Sequence, residues 1–106
     1  MPFVKAIAKS ELKPNQGRCV TIEGKAIAIF NMDGQYMAID DTCTHADASL
    51  ADGGVVKDEN GRCMVECPWH GARFDLKSGA AVTLPAVTPV KVYPVREAGD
   101  ALEVEI

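Results

Sequence analysis

AIAIFNMDGQYMAI, residues 26–39, sets two apolar runs on either side of Asp33-Gly34. An Asp-Gly step between such runs is a strong local hairpin signal, because the favoured two-residue turn needs a positive φ at both central positions. Residues 26–30 and 36–39 are therefore read as paired strands. Just upstream, Glu23-Gly24-Lys25 separates residues 26–30 from the short run 19–22, and it reads as a second hairpin turn. Further out the pattern repeats. Residues 3–8 alternate in polarity, and residues 10–14 suggest one helical turn stopped by Pro14. Gly53-Gly54 leads into Val55-Val56, Asn60-Gly61 turns before residues 63–65, and a Gly99-Asp100 turn separates residues 91–95 from 102–106. No stretch sustains a helical apolar period. Short, regularly spaced strands with turn signals predict an all-β chain built as an antiparallel sandwich or barrel.

Composition sets the frame for function. The chain has 106 residues, 47% of them apolar and 25% charged, with a net charge of −4. That is one small domain with a compact core, expected over residues 1–106, without repeat, linker or low-complexity segment. The acidic balance and the lack of a basic stripe argue against a nucleic-acid partner. Apolar runs are too short to span a membrane, and MPFVKAIAKSEL at the start lacks the apolar core of a signal peptide. A cytoplasmic location is expected, where thiols stay reduced and clustered cysteines suggest metal or redox work.

The chemistry-bearing residues sit just past the central hairpin. CTHAD, residues 43–47, sets Cys43 and His45 two positions apart; CPWHG, residues 67–71, sets Cys67 and His70 three positions apart. These hold both histidines of the chain. Each pair follows a strand in turn-rich sequence, so two loops on a rigid scaffold can bring four ligands to one point. Two buried cysteines and two unrelated surface histidines would be the alternative, but both histidines stand at ligand spacing beside a cysteine. Tetrahedral zinc also suits two cysteines and two histidines, which leaves a structural zinc module as one reading. Zinc sites usually pair like with like, however. A loop offering one thiolate and one imidazole suits a binuclear iron–sulfur cluster with two chemically different irons.

C-x-H, 21 intervening residues and C-x₂-H, with CTH and CPWHG in full, resemble the signature of the Rieske [2Fe–2S] family. Gly71, Phe74, Asp75, the Ser78-Gly79 turn and the proline-containing residues 83–89 extend the resemblance, and the flanking strands fit the family layout. The resemblance implies a Rieske-like antiparallel β sandwich or barrel with a small cluster-binding subdomain, roughly residues 41–87. It implies one [2Fe–2S] cluster, with Cys43 and Cys67 on the inner iron and His45 and His70 on the outer one. The respiratory branch of the family carries two further cysteines, where this chain has Ala48 and Trp69, and a serine and a tyrosine, where it has Ala72 and Phe74. The chain is therefore similar to the soluble Rieske ferredoxins of bacterial oxygenase systems. Its segment between His45 and Cys67 is somewhat longer, and residues 57–61 are expected to extend a hairpin away from the cluster.

Such a ferredoxin is a monomeric one-electron carrier, not an enzyme. It passes electrons from a flavin-dependent NAD(P)H reductase to the terminal Rieske oxygenase of an aromatic-ring-hydroxylating dioxygenase. With both histidines taken, the chain has none left for the mononuclear 2-His-1-carboxylate iron site that oxygenation requires. The small Rieske subunit of assimilatory nitrite reductase is the second redox reading. Ala46, Asp47, Trp69, Gly71 and Pro85 are the docking candidates at the histidine tip, with Glu23 and Lys25 expected on the far face. Other residues take plainer roles. Cys19 and Cys63 are expected as small buried hydrophobes, Trp69 as a shield over the loops, and Pro85 and Pro89 as stiffeners of a third loop. Asp47, Asp52, Asp58 and Glu59 are expected to solvate the surface.

Overall fold

The computed structural model describes residues 3–42, 48–57, 60–69, 71–83 and 88–106. In chain order the strands are β1 (Phe3–Ala8), β2 (Gln16–Ile22), β3 (Lys25–Met32), β4 (Gln35–Asp40), β5 (Gly54–Lys57), β6 (Cys63–Glu66), β7 (Arg73–Asp75), β8 (Ala81–Thr83), β9 (Val92–Tyr93), β10 (Val95–Ala98) and β11 (Ala101–Glu105). Two 3-10 turns, Lys9–Glu11 and Leu50–Asp52, complete the list. Among the described residues there is no α-helix, and no helix long and apolar enough to cross a membrane. The strands form three antiparallel sheets, ordered β1-β11-β10, β2-β3-β4-β9 and β5-β6-β7-β8.

The central hairpin forms as the turn chemistry requires. Asp33 and Gly34 have φ of 54° and 94°, and Met32 pairs with Gln35 across them. Glu23 and Gly24 repeat this geometry between Ile22 and Lys25. The resulting sheet is a wall between two cores. Along β3, Ile27 and Ile29 face one core with Ile7, Leu12, Leu102 and Val104. Ala28, Phe30 and Met32 face the other, with Leu50, Val65, Cys67, Ala72, Phe74 and Leu76. This follows from the two-residue period of a strand: a run apolar at every position fills both sides. Burial of each large apolar side chain contributes roughly 1.5–3 kcal/mol. The wall therefore ties the loop-bearing sheet to the rest of the molecule.

Three expectations change. Residues 91–95 are not one strand. The run breaks at Pro94, which has no N–H for a ladder, so Val92 and Tyr93 pair with β4 while Val95 begins a strand on β11. Cys19 is exposed, not buried. Val20 and Ile22 take the core side of β2, and strand alternation leaves Cys19 on the opposite face of an edge strand. Glu23 and Lys25 are not remote from the first Cys/His segment: the Asp41 N–H donates to the Ala26 carbonyl at 3.0 Å, so that turn shares an end of the sheet with Asp41. The opposite end is the Asp33-Gly34 turn. Lys57 reaches toward it, its Nζ 3.5 Å from the Asp33 carboxylate, so the β5–β6 hairpin points away from Cys67. Cys63 is buried as expected, and Cys19 and Cys63 are free thiols.

Candidate metal centre

Of the four expected ligands, the described residues include Cys67; Cys43, His45 and His70 lie outside them, as do Ala46, Asp47, Asp58, Glu59 and Pro85. The frame that carries these positions is described on both sides.

The foot of the first segment is built around Asp41, which is 6% exposed. Its backbone carbonyl accepts the Leu50 N–H at 2.7 Å. Its Oδ1 accepts both the Ser49 hydroxyl at 2.8 Å and the Ala51 N–H at 2.9 Å. Thr42 and Ser49 form an antiparallel bridge. Leu50, fully buried in the core behind, holds the returning chain down. The described residues on either side of positions 43–47 are therefore held side by side. From sequence, Asp41 read only as part of a turn-rich approach. The available signal was its place two residues before a ligand, which does not say that the carboxylate points inward.

The second segment is a tight reversal off β6. The Cys67 N–H donates to the Ala72 carbonyl at 2.6 Å, and Gly71 takes a φ of 71° that an L side chain rarely adopts. Across the foot, Arg73 Nε lies 2.9 Å from Glu66 Oε2, a half-exposed ion pair of modest value. Cys67 is 1% exposed, and Ala72 and Phe74 are wholly buried in the same core. Behind the proline-containing segment, the Val90 N–H donates to the Gly79 carbonyl at 2.8 Å. Trp69 is 55% exposed and turns much of its indole to solvent.

The described residues fit a buried iron–sulfur group. The Cys67 thiol is withdrawn from water into an apolar wall, the environment an inner thiolate ligand needs, and the first segment springs from a rigid clasp. Neither Ala72 nor Phe74 brings a hydroxyl to the sulfurs. Among the described residues no three His, Cys, Asp or Glu gather as a metal site, three of the four expected ligands lying elsewhere. Two titrating groups border the frame. Partial desolvation of the otherwise exposed residue pushes the Cys19 thiol up, assisted by the charge of Asp41, its hydrogen bond to that carboxylate, and Asp52. Tyr93 is pushed up to about 12, first by burial and then by its hydrogen bond to Asp40.

Comparison with known proteins places this frame. Residues 3–94 match the Rieske [2Fe-2S] domain family. The biphenyl dioxygenase ferredoxin subunit of Pseudomonas sp. (strain KKS102) is 36% identical over 99 residues, covering 93% of this chain and 87% of that protein. The ferredoxin of carbazole 1,9a-dioxygenase from Nocardioides aromaticivorans IC177 superimposes with a TM-score of 0.88 at 30% identity, covering 98% and 97% of the two chains. A chain in the complex of reduced oxygenase and oxidized ferredoxin of carbazole 1,9a-dioxygenase gives 0.84 at 31% identity, with 96% and 91% covered. A putative NADH-dependent nitrite reductase small subunit from Mycobacterium tuberculosis gives 0.86 at 29% identity, with 97% and 93% covered. With the family matched across most of its length, a buried cysteine at the mouth of one clasped segment and the paired Cys/His signature on both, this chain belongs to the Rieske [2Fe–2S] domain family and carries one cluster of that type.

Proposed function

We propose that the protein is the ferredoxin component of an aromatic-ring-hydroxylating dioxygenase system, a cytoplasmic one-electron carrier between a flavin-dependent NAD(P)H reductase and a terminal Rieske oxygenase. Residues 1–106 act as one domain, with residues 41–87 as its cluster-binding part. Cys43 and Cys67 hold the inner iron; His45 and His70 hold the outer one. When bound, the group takes up and returns one electron and leaves no open coordination position for a substrate. The chain's own residues do the rest. Cys67 and the apolar wall of Ala72, Phe74 and Leu50 keep water from the inner side. The exposed indole of Trp69, next to His70, offers apolar surface to a partner in a small, short-lived contact, as redox encounters use.

The observation that carries this reading is the donor inventory together with the burial of Cys67. Both histidines stand beside cysteines, and the one ligand described is sealed in the core. The dioxygenase ferredoxins among the relatives support the pathway; the nitrite reductase small subunit, as similar in fold, supports the second reading. Purified protein is expected to be red-brown, with two irons and two labile sulfides per chain and the EPR signal of a reduced Rieske centre. Tightly bound zinc in a colourless protein overturns it. Electron delivery to a ring-hydroxylating oxygenase, compared with delivery to a nitrite reductase, separates the two pathways.

A further inference from the structure

We propose that Asp41 and Gly53 are positioning residues that set the separation of the two ligand-bearing segments; this rests on the ligand assignment given above. A continuous path of contacts links the feet of the two segments. The Asp41 carboxylate grips Ser49 and Ala51, the Gly53 N–H closes the 3-10 turn onto the Leu50 carbonyl at 3.0 Å, and Gly54 pairs with Glu66. Glu66 immediately precedes Cys67.

Gly53 is where the two feet touch. Its φ of −81° and ψ of 164° are open to any residue, so glycine is not needed there for conformation. It is needed for space. A Cβ on Gly53 would lie 2.0 Å from the Glu66 carbonyl oxygen and 3.2 Å from the Leu50 oxygen. Ordinary contact begins at 3.4 Å, so the two backbones must part by more than an ångström to admit one methyl group. Neither partner is a flexible side-chain end. Gly54, the next residue, has nothing within 4 Å of its would-be Cβ and is the natural control. Asp41 acts on the other side of the contact. Without its carboxylate the Ala51 N–H and the Ser49 hydroxyl lose their acceptor, and the 3-10 turn is free to shift against β6.

The test compares holoprotein carrying Gly53→Ala, Gly54→Ala, Asp41→Asn, Asp41→Ala or Cys67→Ser. The expected result is altered g-values and at least tenfold faster loss of iron to a chelator in Gly53→Ala, with Gly54→Ala unchanged. Amide hydrogen exchange at Leu50 and Ala51 should accelerate at least tenfold in Asp41→Ala and less in Asp41→Asn, which keeps an acceptor oxygen. This second readout does not depend on the cluster signal and serves if Gly53→Ala fails to fold. Gly53→Ala indistinguishable from Gly54→Ala, or unchanged exchange in Asp41→Ala, overturns the proposal. Cys67→Ser tests the ligand assignment alone: an unaltered cluster there overturns that assignment, whereas its loss beside a normal Gly53→Ala defeats only the positioning role.

Discussion

Tyr93→Phe removes one hydroxyl and probes how the β4 end, from which the first ligand segment departs, is held. Tyr93 is 6% exposed, and its hydroxyl donates to the Asp40 carboxylate at 2.5 Å. The Asp40 N–H donates to the Lys91 carbonyl at 2.9 Å, so β9 and the residue just before it grip the last residue of β4 twice. A hydrogen bond to a charged group contributes about 1.5–3 kcal/mol net. The raised pKa supplies the pH dependence. Burial first, and then the Asp40 carboxylate, disfavour the phenolate in the folded state and hold this pKa at about 12, against an ordinary value near 10. We therefore expect Tyr93→Phe to cost ~2 kcal/mol at pH 8, which lowers Tm by roughly 8 °C in a domain of this size. The folded state binds this proton more tightly than the unfolded one, so the contribution is fully present below about pH 10 and declines as pH rises through about 12. About half of it is gone at pH 11. Denaturant unfolding of the holoprotein, followed by far-UV circular dichroism at several pH values, gives the difference between wild type and variant. A difference that is absent at pH 8, or that stays constant up to pH 11.5, refutes the reasoning.

Three further outcomes are expected. The wild-type midpoint potential lies near the low end of the Rieske span, roughly −150 to −100 mV, because Ala72 and Phe74 bring no hydroxyl to the sulfurs. Ala72→Ser raises it by tens of millivolts, about 59 mV corresponding to a tenfold change for one electron; a wild-type value above roughly +100 mV contradicts this. Alkylation of native protein modifies Cys19 before Cys63, since Cys19 is exposed and Cys63 buried, and it proceeds more slowly than with a free cysteine because partial desolvation and Asp41 disfavour the thiolate. Mass spectrometry of partly labelled protein decides the order, and Asp41→Ala should speed the Cys19 reaction. Trp69→Ala slows electron transfer to the partner oxygenase at unchanged midpoint potential, whereas Lys57→Ala, on the hairpin pointing away from Cys67, does not; the reverse pattern places the exit elsewhere.

Much of this molecule was legible from local signals. Asp33-Gly34 and Glu23-Gly24 dictate their hairpins because a two-residue turn with positive φ has few compatible sequences. Residues 43–45 and 67–70 announce a metal centre because few other arrangements place both histidines beside cysteines. The apolar run on β3 was legible as strand but not as a wall between two cores, since alternation says that faces differ and not what covers them. β7 and β8 escaped notice because three residues carry too little pattern among glycines and prolines.

By itself, then, the sequence determined the β class, the central hairpins, the ligand set expected of the family and the family itself. Each of these rests on residues close together in the chain or on side-chain types with few other uses. Tertiary structure alone decided that Pro94 hands the chain from one sheet to another, that Cys19 faces outward, and that the Asp41 carboxylate turns inward to hold Ser49 and Ala51. It alone brought Gly53 against Glu66. These features depend on which backbone groups meet once sheets pack, and a buried acceptor or a missing Cβ has meaning only beside the partner that folding supplies.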